Sequence, residues 1–303
     1  MNDLENKLLK KVNDSPMTGA LNIRKNGKMW QRKNTKYVTI SDREDGGGIE
    51  VRVKDDTPFA LIDIPVLITQ SGLTDTVRND FYIGKNCKVL IYAGCGINNC
   101  REKDSLHSGE HYFYVGENSS VKYIEKHYGE GEGRGKRVIN PLTQVFLEKG
   151  AKMEIETTQI EGIDDTNRVT RAILKEKTNL IVKEKIMTSG SQKAMTEFIV
   201  KLEGRESSCR VISRAVATEK SEQKFISNIK GEEKCYAHIA CDSIIKDKAK
   251  IAAIPKIKAN HVEAELVHEA TIGKIAGEQL VKLMSLGLDQ KRAEEEIIQG
   301  FLN

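Results

Sequence analysis

The chain has 303 residues, of which 39% are hydrophobic, 30% are charged and 5% are aromatic. This balance is polar for a compact two-layer globule, and it favours an elongated body filled by aliphatic side chains. The 48 basic and 44 acidic residues are interspersed and leave a net charge of +4, which argues against a nucleic-acid partner.

No stretch is apolar enough to cross a membrane, and the N-terminus lacks the apolar region of a secretion signal. The sequence therefore predicts a cytoplasmic protein without a membrane partner. In that reducing compartment the six cysteines are expected to be buried thiols, metal ligands or redox groups, and not disulfides.

The first predicted element is a short amphipathic helix over residues 3 to 13, which places Leu4, Leu8, Leu9 and Val12 on one face. From Tyr37 onward the hydrophobic period changes to two, which is typical of strands. The predicted strands before the repeat begins are Tyr37 to Ser41, Ile49 to Val53 and Phe59 to Thr69.

A phrase of one form then recurs: a polar turn followed by alternating apolar residues. Its copies begin at Gly84, Gly116, Glu148, Lys175, Gly204, Gly231 and Lys246. All but the last copy recur at roughly 26 to 33 residues, a period that indicates stacked supersecondary units. The predicted fold class is an all-β core, a β-helix with two main strands per turn, and short N-terminal and C-terminal helices that cover its open ends. A helical bundle and a Greek-key sandwich do not fit this pattern.

A glycine-rich, charged run follows Tyr128 and is predicted to be a flexible excursion from the body. It lacks the ending of a phosphate-binding loop, so nucleotide binding by this chain is not expected.

After Thr271 the period returns to that of a helix. One helix is expected to end at Gly287, and a second is expected to begin near Asp289 as its N-cap. The predicted divisions are residues 1–36 as helix and lead-in, 37–271 as β-helix core and 272–303 as C-terminal helices. These helices either cap the last rung or dock a partner. The apolar face proposed for docking contains Leu280, Leu283, Met284, Ile297 and Phe301.

Three residues late in the chain are candidate ligands. Cys241 can supply a thiolate, His268 an imidazole and Glu269 a carboxylate, a mixed set that suits iron or zinc. Each residue also has a structural interpretation. Cys241 can be a small buried residue of a strand, His268 a histidine hydrogen-bonded to a carbonyl, and Glu269 a solvated carboxylate that precedes a helix.

A second constellation combines Cys95 and Cys100 with His107 and His111. Four such residues at this spacing can hold iron or zinc. The alternative is a turn with incidental thiols and a surface histidine pair.

Residues 264–275 read Ala-Glu-Leu-Val-His-Glu-Ala-Thr-Ile-Gly-Lys-Ile, with Cys-Asp-Ser at 241–243 before them and Ile298-Gln-Gly-Phe-Leu after them. This set of motifs closely resembles the C-terminal signature of the SufB/SufD family. Those proteins are scaffolds of the SUF iron-sulfur cluster assembly machinery. The resemblance implies a right-handed parallel β-helix, a C-terminal region that docks the ABC-type ATPase SufC, and cluster assembly between two scaffolds.

The resemblance also implies roles for particular residues. Cys241 and Glu269 match cluster-site positions of SufB, and His268 matches the histidine that SufD contributes. Leu266 and Val267 stand where the relatives have a cysteine and an acidic residue. A homodimer can therefore assemble a site that the longer proteins divide between two subunits, although a second SufB/SufD-type scaffold is the alternative partner.

The expected function is a non-catalytic scaffold that receives sulfur from a donor and builds a transient iron-sulfur cluster, with ATP hydrolysis in a partner. The resemblance gives the Cys95 region a role in sulfur entry or in binding an accessory metal. The alternatives are a zinc-binding or purely structural solenoid and, with poor aromatic content against it, a β-helix enzyme such as a polysaccharide lyase or esterase.

Overall fold

The computed structural model describes residues 1–302, and most of them lie in a parallel β-solenoid of about eight turns. Three short helices flank it: α1 (Asp3–Val12), α2 (Gly277–Ser285) and α3 (Gln290–Leu302). The predicted β-helix core with terminal helices is confirmed.

The strands, in chain order, are β1 (Ala20–Lys25), β2 (Lys28–Lys33), β3 (Val38–Asp42), β4 (Gly48–Val53), β5 (Ala60–Ile68), β6 (Thr74–Ile83), β7 (Lys88–Asn98), β8 (Ser105–Val115), β9 (Ser120–Glu130), β10 (Arg137–Ile139), β11 (Leu142–Leu147), β12 (Lys152–Glu161), β13 (Asp165–Leu174), β14 (Asn179–Thr188), β15 (Lys193–Leu202), β16 (Ser207–Ala217), β17 (Glu222–Gly231), β18 (Cys235–Ile245), β19 (Lys250–Ala259) and β20 (Glu265–Gly273).

The strands form two sheets. Sheet A has the order β2-β1-β5-β7-β9-β12-β14-β16-β18-β20, and sheet B has the order β19-β17-β15-β13-β10-β8-β6-β4-β3, with β11 also between β13 and β8. The pairs β1–β2 and β3–β4, at the N-terminal end, are antiparallel, whereas the pairs that stack the successive turns are parallel. Strands β1 and β2 lie within residues 1–36, the stretch predicted to hold only a helix and a lead-in.

Side chains alternate between the interior and the outer surface along each strand, as the period of two predicts. Parallel register then stacks the inward residues into columns that run through the solenoid. One interior column of sheet A consists of Ile62, Ile91, Tyr123, Ile155, Val182, Val211, Ile239 and His268. Burial of such aliphatic columns is the main stabilising contribution, at about 25 cal/mol for each Å² of apolar surface removed from water.

Four of the turns that precede strands of sheet A repeat one conformation. Their third residue has a positive φ, at Asn86, Asn118, Gly150 and Lys177, with values of 54° to 72°. The backbone N–H of each of these residues donates to a carbonyl in the turn above, as from Asn118 to Lys149 at 3.1 Å. Six of the seven copies of the recurring polar phrase therefore form this corner of the solenoid, whereas the copy that begins at Lys246 precedes β19 of sheet B.

The glycine-rich run lies against the body, so the predicted excursion is wrong. The N–H of Gly133 donates to the carbonyl of Asn99 at 3.1 Å, and that of Gly135 donates to the carbonyl of Arg101 at 2.9 Å. A Cβ at Gly133 would come within 2.3 Å of the backbone nitrogen of Arg101. The alternating glycines are needed because two loop backbones touch there.

The helices were predicted to cover the ends of the solenoid, but α1 and α3 lie along its side, and α2 packs on α3. Helix α1 has the predicted apolar face and a capping box between Asn2 and Glu5, and it contacts β5, β7 and β9. Helix α3 begins after Asp289, as predicted, and buries Ile298 and Leu302 against Val216 and neighbouring side chains of sheet A.

The C-terminal end of the solenoid consequently remains uncovered within residues 1–302. Every residue of β19 is at least partly exposed, including Ile257, which occupies an inward position beside Ile229. Both β19 and β20 are edge strands with no neighbour on one side. We call this surface, formed by β19 and β20, the open end. No helix of the described chain is long and apolar enough to cross a membrane.

Candidate functional site

A column of polar side chains lies inside sheet A, next to the aliphatic column. It contains Glu125, Thr157, Glu184, Ser213 and Cys241, one from each successive strand from β9 to β18. All five are buried. Buried polar groups are costly unless they are paired, and Thr157 Oγ1 has no hydrogen-bond partner within residues 1–302.

The first part of this column is a buried ion pair. Glu125 accepts a hydrogen bond from Arg168 of sheet B, and the tyrosine hydroxyl of Tyr123 donates to the same carboxylate at 2.9 Å. Burial acts to raise the pKa of Glu125, but the charges of His127 and Arg168 outweigh it and hold that pKa well below its usual value. Glu125 is therefore a carboxylate at neutral pH.

Glu184 has a different environment. It accepts hydrogen bonds from Thr196 at 3.0 Å and Ser213 at 2.8 Å, while the nearest guanidinium nitrogen of Arg168 is 3.8 Å away. Burial is the largest influence and raises the pKa of Glu184 in spite of these partners. The carboxyl group thus retains its proton to a higher pH than an exposed glutamate does.

Cys241 lies at the far end of the column, one strand before the open end. Its thiol lines a cavity of about 20 Å³ together with Glu184 and Ser213. Burial, with the charge of Glu184 added, raises the pKa of Cys241. The residue is also part of the main hydrophobic cluster. Cys241 is therefore a protonated thiol in the isolated chain, and binding of a metal would convert it to a thiolate.

His268 is the last member of the aliphatic column and lies at the open end. Its Nδ1 is 3.2 Å from the hydroxyl oxygen of Ser227. Its Nε2 is buried and has no hydrogen-bond partner among residues 1–302. Desolvation lowers the pKa of His268, so the neutral imidazole presents an unused nitrogen.

The third predicted ligand points the other way. Adjacent residues of a strand face opposite sides, and Glu269 lies on the outer surface, where Oε2 is 3.3 Å from Nε2 of His238. One copy of the chain therefore brings Cys241 and His268 to the interior and leaves Glu269 outside. As the side chains stand, no three His, Cys, Asp or Glu residues within 1–302 are arranged to hold a metal ion.

The second constellation is also divided. Cys95, His107 and His111 are buried inside the solenoid, whereas Cys100 is exposed in the following loop, where its sulfur is 3.1 Å from Oδ1 of Asn98. Burial raises the pKa of Cys95 well above its usual value.

The interior charges Glu125, Arg168 and Glu184 were missed by the sequence analysis. A signal for them exists, because each occupies an inward position of an alternating strand, as Glu184 does between Val182 and Ile186. Only the register of distant strands shows that these charges meet.

The predicted docking face is partly occupied. Leu280, Leu283, Ile297 and Phe301 are half-buried, and Phe301 packs with the cluster that joins α3 to the solenoid. Helix α2 has no buried residue. Its exposed apolar side chains include Val281, 66% exposed, and Met284, 42% exposed.

Comparison with known proteins identifies the family to which this chain belongs. The family model described as SUF system FeS cluster assembly, SufBD core domain, matches residues 98–232 and 170–301. An iron-sulfur cluster assembly SufBD family protein of Methanocaldococcus jannaschii is 24% identical over 270 residues, covering 88% of this chain and 84% of that protein. One from Pyrococcus horikoshii is 27% identical over 271 residues, covering 86% and 78%. One from Archaeoglobus fulgidus is 23% identical over 286 residues, covering 91% and 73%. Because the matched core spans most of the solenoid and the C-terminal helices, the chain belongs to the SufBD family of iron-sulfur cluster assembly proteins.

Proposed function

We propose that this chain is a non-catalytic scaffold on which a transient iron-sulfur cluster is built between two copies, for transfer to apo-proteins. The observation that carries the proposal is the open end, where the unpartnered Nε2 of His268 lies one strand beyond Cys241. A nitrogen donor and a sulfur donor on the interior side of an uncovered surface suit an iron site that a second molecule completes.

A homodimer is the partner arrangement that the open end favours. Two edge strands with exposed apolar residues are an aggregation hazard for a monomer, and a twofold axis through them removes the hazard in both copies. Glu269 lies on β20 and faces outward, so it cannot reach the Cys241 site of its own chain. In a homodimer, Glu269 of one copy could instead approach the site of the other copy.

The polar column is a candidate route to that site. It leads from the neighbourhood of Cys95 and His127 through Glu184 to Cys241. We propose that a donor protein releases sulfide near Cys95 and that the sulfide, which needs no covalent carrier, passes along this column to Cys241. A cytoplasmic location fits six unpaired cysteines.

A SufC-like ABC ATPase is the proposed second partner. Helix α2 contacts α3, buries no residue of its own and exposes Val281 and Met284. Exposed apolar residues at helical spacing are a common means of docking into a partner groove. In this proposal ATP hydrolysis occurs in the partner and changes the separation of the two scaffolds.

Anaerobic addition of ferrous iron and sulfide, followed by visible absorption, tests the proposal. We expect a cluster band in the unsubstituted chain and its loss in Cys241→Ser and in His268→Ala. Cys209→Ser is the matched control, because Cys209 is equally buried in sheet A but lies away from the open end.

The far-ultraviolet circular dichroism of each variant must show the same folded solenoid. A band that survives both substitutions, or that Cys209→Ser removes equally, contradicts the proposed site. Zinc as the sole metal bound would favour the alternative of a zinc-binding solenoid.

A further inference from the structure

Strands β1 and β2 form an antiparallel hairpin at the N-terminal end of sheet A, which we call the N-terminal hairpin. Asn26 and Gly27 make its turn, and both have a positive φ, of 47° and 77°, as a type I′ turn requires. The side chain of Asn26 fixes this turn to the solenoid, because its Oδ1 accepts hydrogen bonds from the backbone N–H groups of Thr69 at 2.8 Å and Gln70 at 3.0 Å. The hairpin is therefore held in place, which lowers the ordering cost of docking to it.

The outer strand of the hairpin, β2, carries exposed apolar side chains. It is the edge strand of sheet A, where Met29 is 50% exposed and Trp30 is 44% exposed. Trp30 is the single tryptophan of the chain. Gln31 pairs with Ile23 and Met29 pairs with Arg24, so Trp30 is the extra residue of a β-bulge. A bulge redirects a side chain, and here it leaves the indole in solvent.

The same part of the chain is strongly basic. Residues 15–41 contain six Lys and Arg residues and no Asp or Glu. Lys28, Lys33 and Lys36 are exposed and have no carboxylate partner within residues 1–302. Unpaired positive charge therefore lies beside the exposed indole. The other three cations are neutralised in the pairs Arg24–Asp75, Lys25–Glu5 and Arg32–Asp42.

Lysines on an edge strand commonly protect it from pairing with another chain. That role accounts for Lys28 and Lys33. It does not account for Met29 and Trp30, because exposed apolar side chains on an edge work against such protection. Tryptophan is enriched among the anchor residues of protein interfaces, and charges around an anchor guide a partner of opposite charge. The combination is typical of a docking surface.

We propose that the N-terminal hairpin docks a short acidic peptide segment of a partner protein. Trp30 contacts an apolar residue of the segment, while Lys28, Lys33 and Lys36 face its carboxylates. The six residues of β2 span about 20 Å, the length of an extended segment of about six residues. The unpaired edge of β2 also offers backbone N–H and C=O groups to the backbone of the segment.

Other occupants fit this surface less well. Two copies of the hairpin would repel each other, because neither has an acidic residue. An anionic membrane site usually clusters about four to eight cations, and a nucleic-acid site commonly makes about six to ten phosphate contacts. Three unpaired lysines are fewer than either. The inference is independent of the cluster site proposed at the open end.

Trp30 supplies the readout, because the fluorescence of the only tryptophan reports on this surface alone. The probe is an end-blocked peptide of about ten residues in which glutamate and valine alternate, and a lysine–valine peptide of the same length is the control ligand. With the full-length chain we expect a saturable blue shift of the Trp30 emission with the glutamate peptide and none with the lysine peptide. Added salt should weaken the binding, because exposed charges are screened.

Combining Lys28→Glu with Lys33→Glu should weaken the binding about tenfold or more, since two attractions become repulsions. Lys152→Glu with Lys220→Glu is the matched control, because both lysines are exposed, lack a carboxylate partner within residues 1–302 and lie away from the hairpin. This control makes the same change in net charge and should bind as the unsubstituted chain does. Trp30→Ala, followed by the anisotropy of a fluorescein-labelled glutamate peptide, should lose most of the binding.

An unchanged Trp30 emission with the glutamate peptide overturns the inference, and so does equal weakening in the two double variants. Binding that survives Trp30→Ala contradicts the proposed anchor. Phosphatidylglycerol vesicles or a single-stranded oligonucleotide that bind the hairpin more tightly than the peptide would assign it to another class of partner. If a variant loses the far-ultraviolet circular dichroism of the solenoid, the unsubstituted chain still decides the question, because a shift with both peptides or with neither refutes the proposal.

Discussion

A lysine at position 257 should disrupt the proposed homodimer. Ile257 occupies an inward position of the last strand of sheet B and is 44% exposed, because no further rung covers it. Burying a whole isoleucine side chain contributes about 1.5–3 kcal/mol, so covering the remaining fraction contributes about 1 kcal/mol. A twofold axis places the residue in the interface twice, which doubles this to about 2 kcal/mol.

Since 1.4 kcal/mol corresponds to a tenfold change in affinity, Ile257→Lys should raise the dimer dissociation constant by about 30-fold. Desolvation of the new charge adds to the effect. Sedimentation velocity over a range of protein concentrations measures the constant. Met29→Lys is the control, because Met29 is 50% exposed but lies on β2, at the opposite end of sheet A.

Two results would refute the reasoning. One is a monomeric unsubstituted chain at micromolar concentration, which would mean that the open end has no copy of itself as partner. The other is an equal loss of association in Met29→Lys, which would place the contact at the N-terminal end or show a general effect of added charge.

Two other predictions concern α2 and Glu184. Combining Val281→Asp with Met284→Asp should weaken binding of the ATPase at least tenfold, as measured by calorimetry, since a central apolar anchor typically contributes about 2 kcal/mol or more. Gln279→Asp, on the same helix, should bind the ATPase normally. Unchanged binding in the double variant would mean that the docking surface lies elsewhere. Because the folded pKa of Glu184 is raised above 4.5, its contribution to stability is complete below pH 4.5 and is lost as the pH rises through the folded pKa. Glu184→Gln should remove that pH dependence. In urea unfolding between pH 4.5 and 8, the free energy of unfolding of the variant should rise relative to that of the unsubstituted chain by about 1.4 kcal/mol for each unit by which the pKa is raised. A difference between the two proteins that stays constant with pH would disprove the prediction.

Much of the solenoid could be predicted from the sequence because its strands are periodic and its turns repeat. The predicted strand over Ile49 to Val53 differs from β4 by one residue, and the helix predicted near Asp289 begins where expected. Both depend on local chemistry, which a short segment of sequence contains.

The direction in which the helices pack could not be predicted. The amphipathic pattern that includes Ile298 and Phe301 predicts that one side of α3 is buried. The same pattern fits packing against the last rung and packing against the outer face of sheet A, which is where α3 lies. Tertiary contact decides that question, and it left the open end exposed.

The candidate site was predictable in composition and not in geometry. Adjacent residues in a strand face opposite ways, so His268 and Glu269 separate once β20 is known to be a strand through both. Arg168 and Glu125 are far apart in the chain, and each alone would be expected at the surface. Only the stacking of rungs brings them together inside.

Both corners of the solenoid are made by connections of three to six residues. Four-residue turns, 84–87, 116–119, 148–151 and 175–178, precede strands of sheet A, and each has the same left-handed third position. An inserted residue there would reverse the inward and outward sides of the next strand. The opposite corner has connections of unequal length, from 162–164 to 99–104. The loop 99–104 is held by the glycine-rich run, so a new segment beside Cys100 would have to preserve the contacts of Gly133 and Gly135 with its backbone.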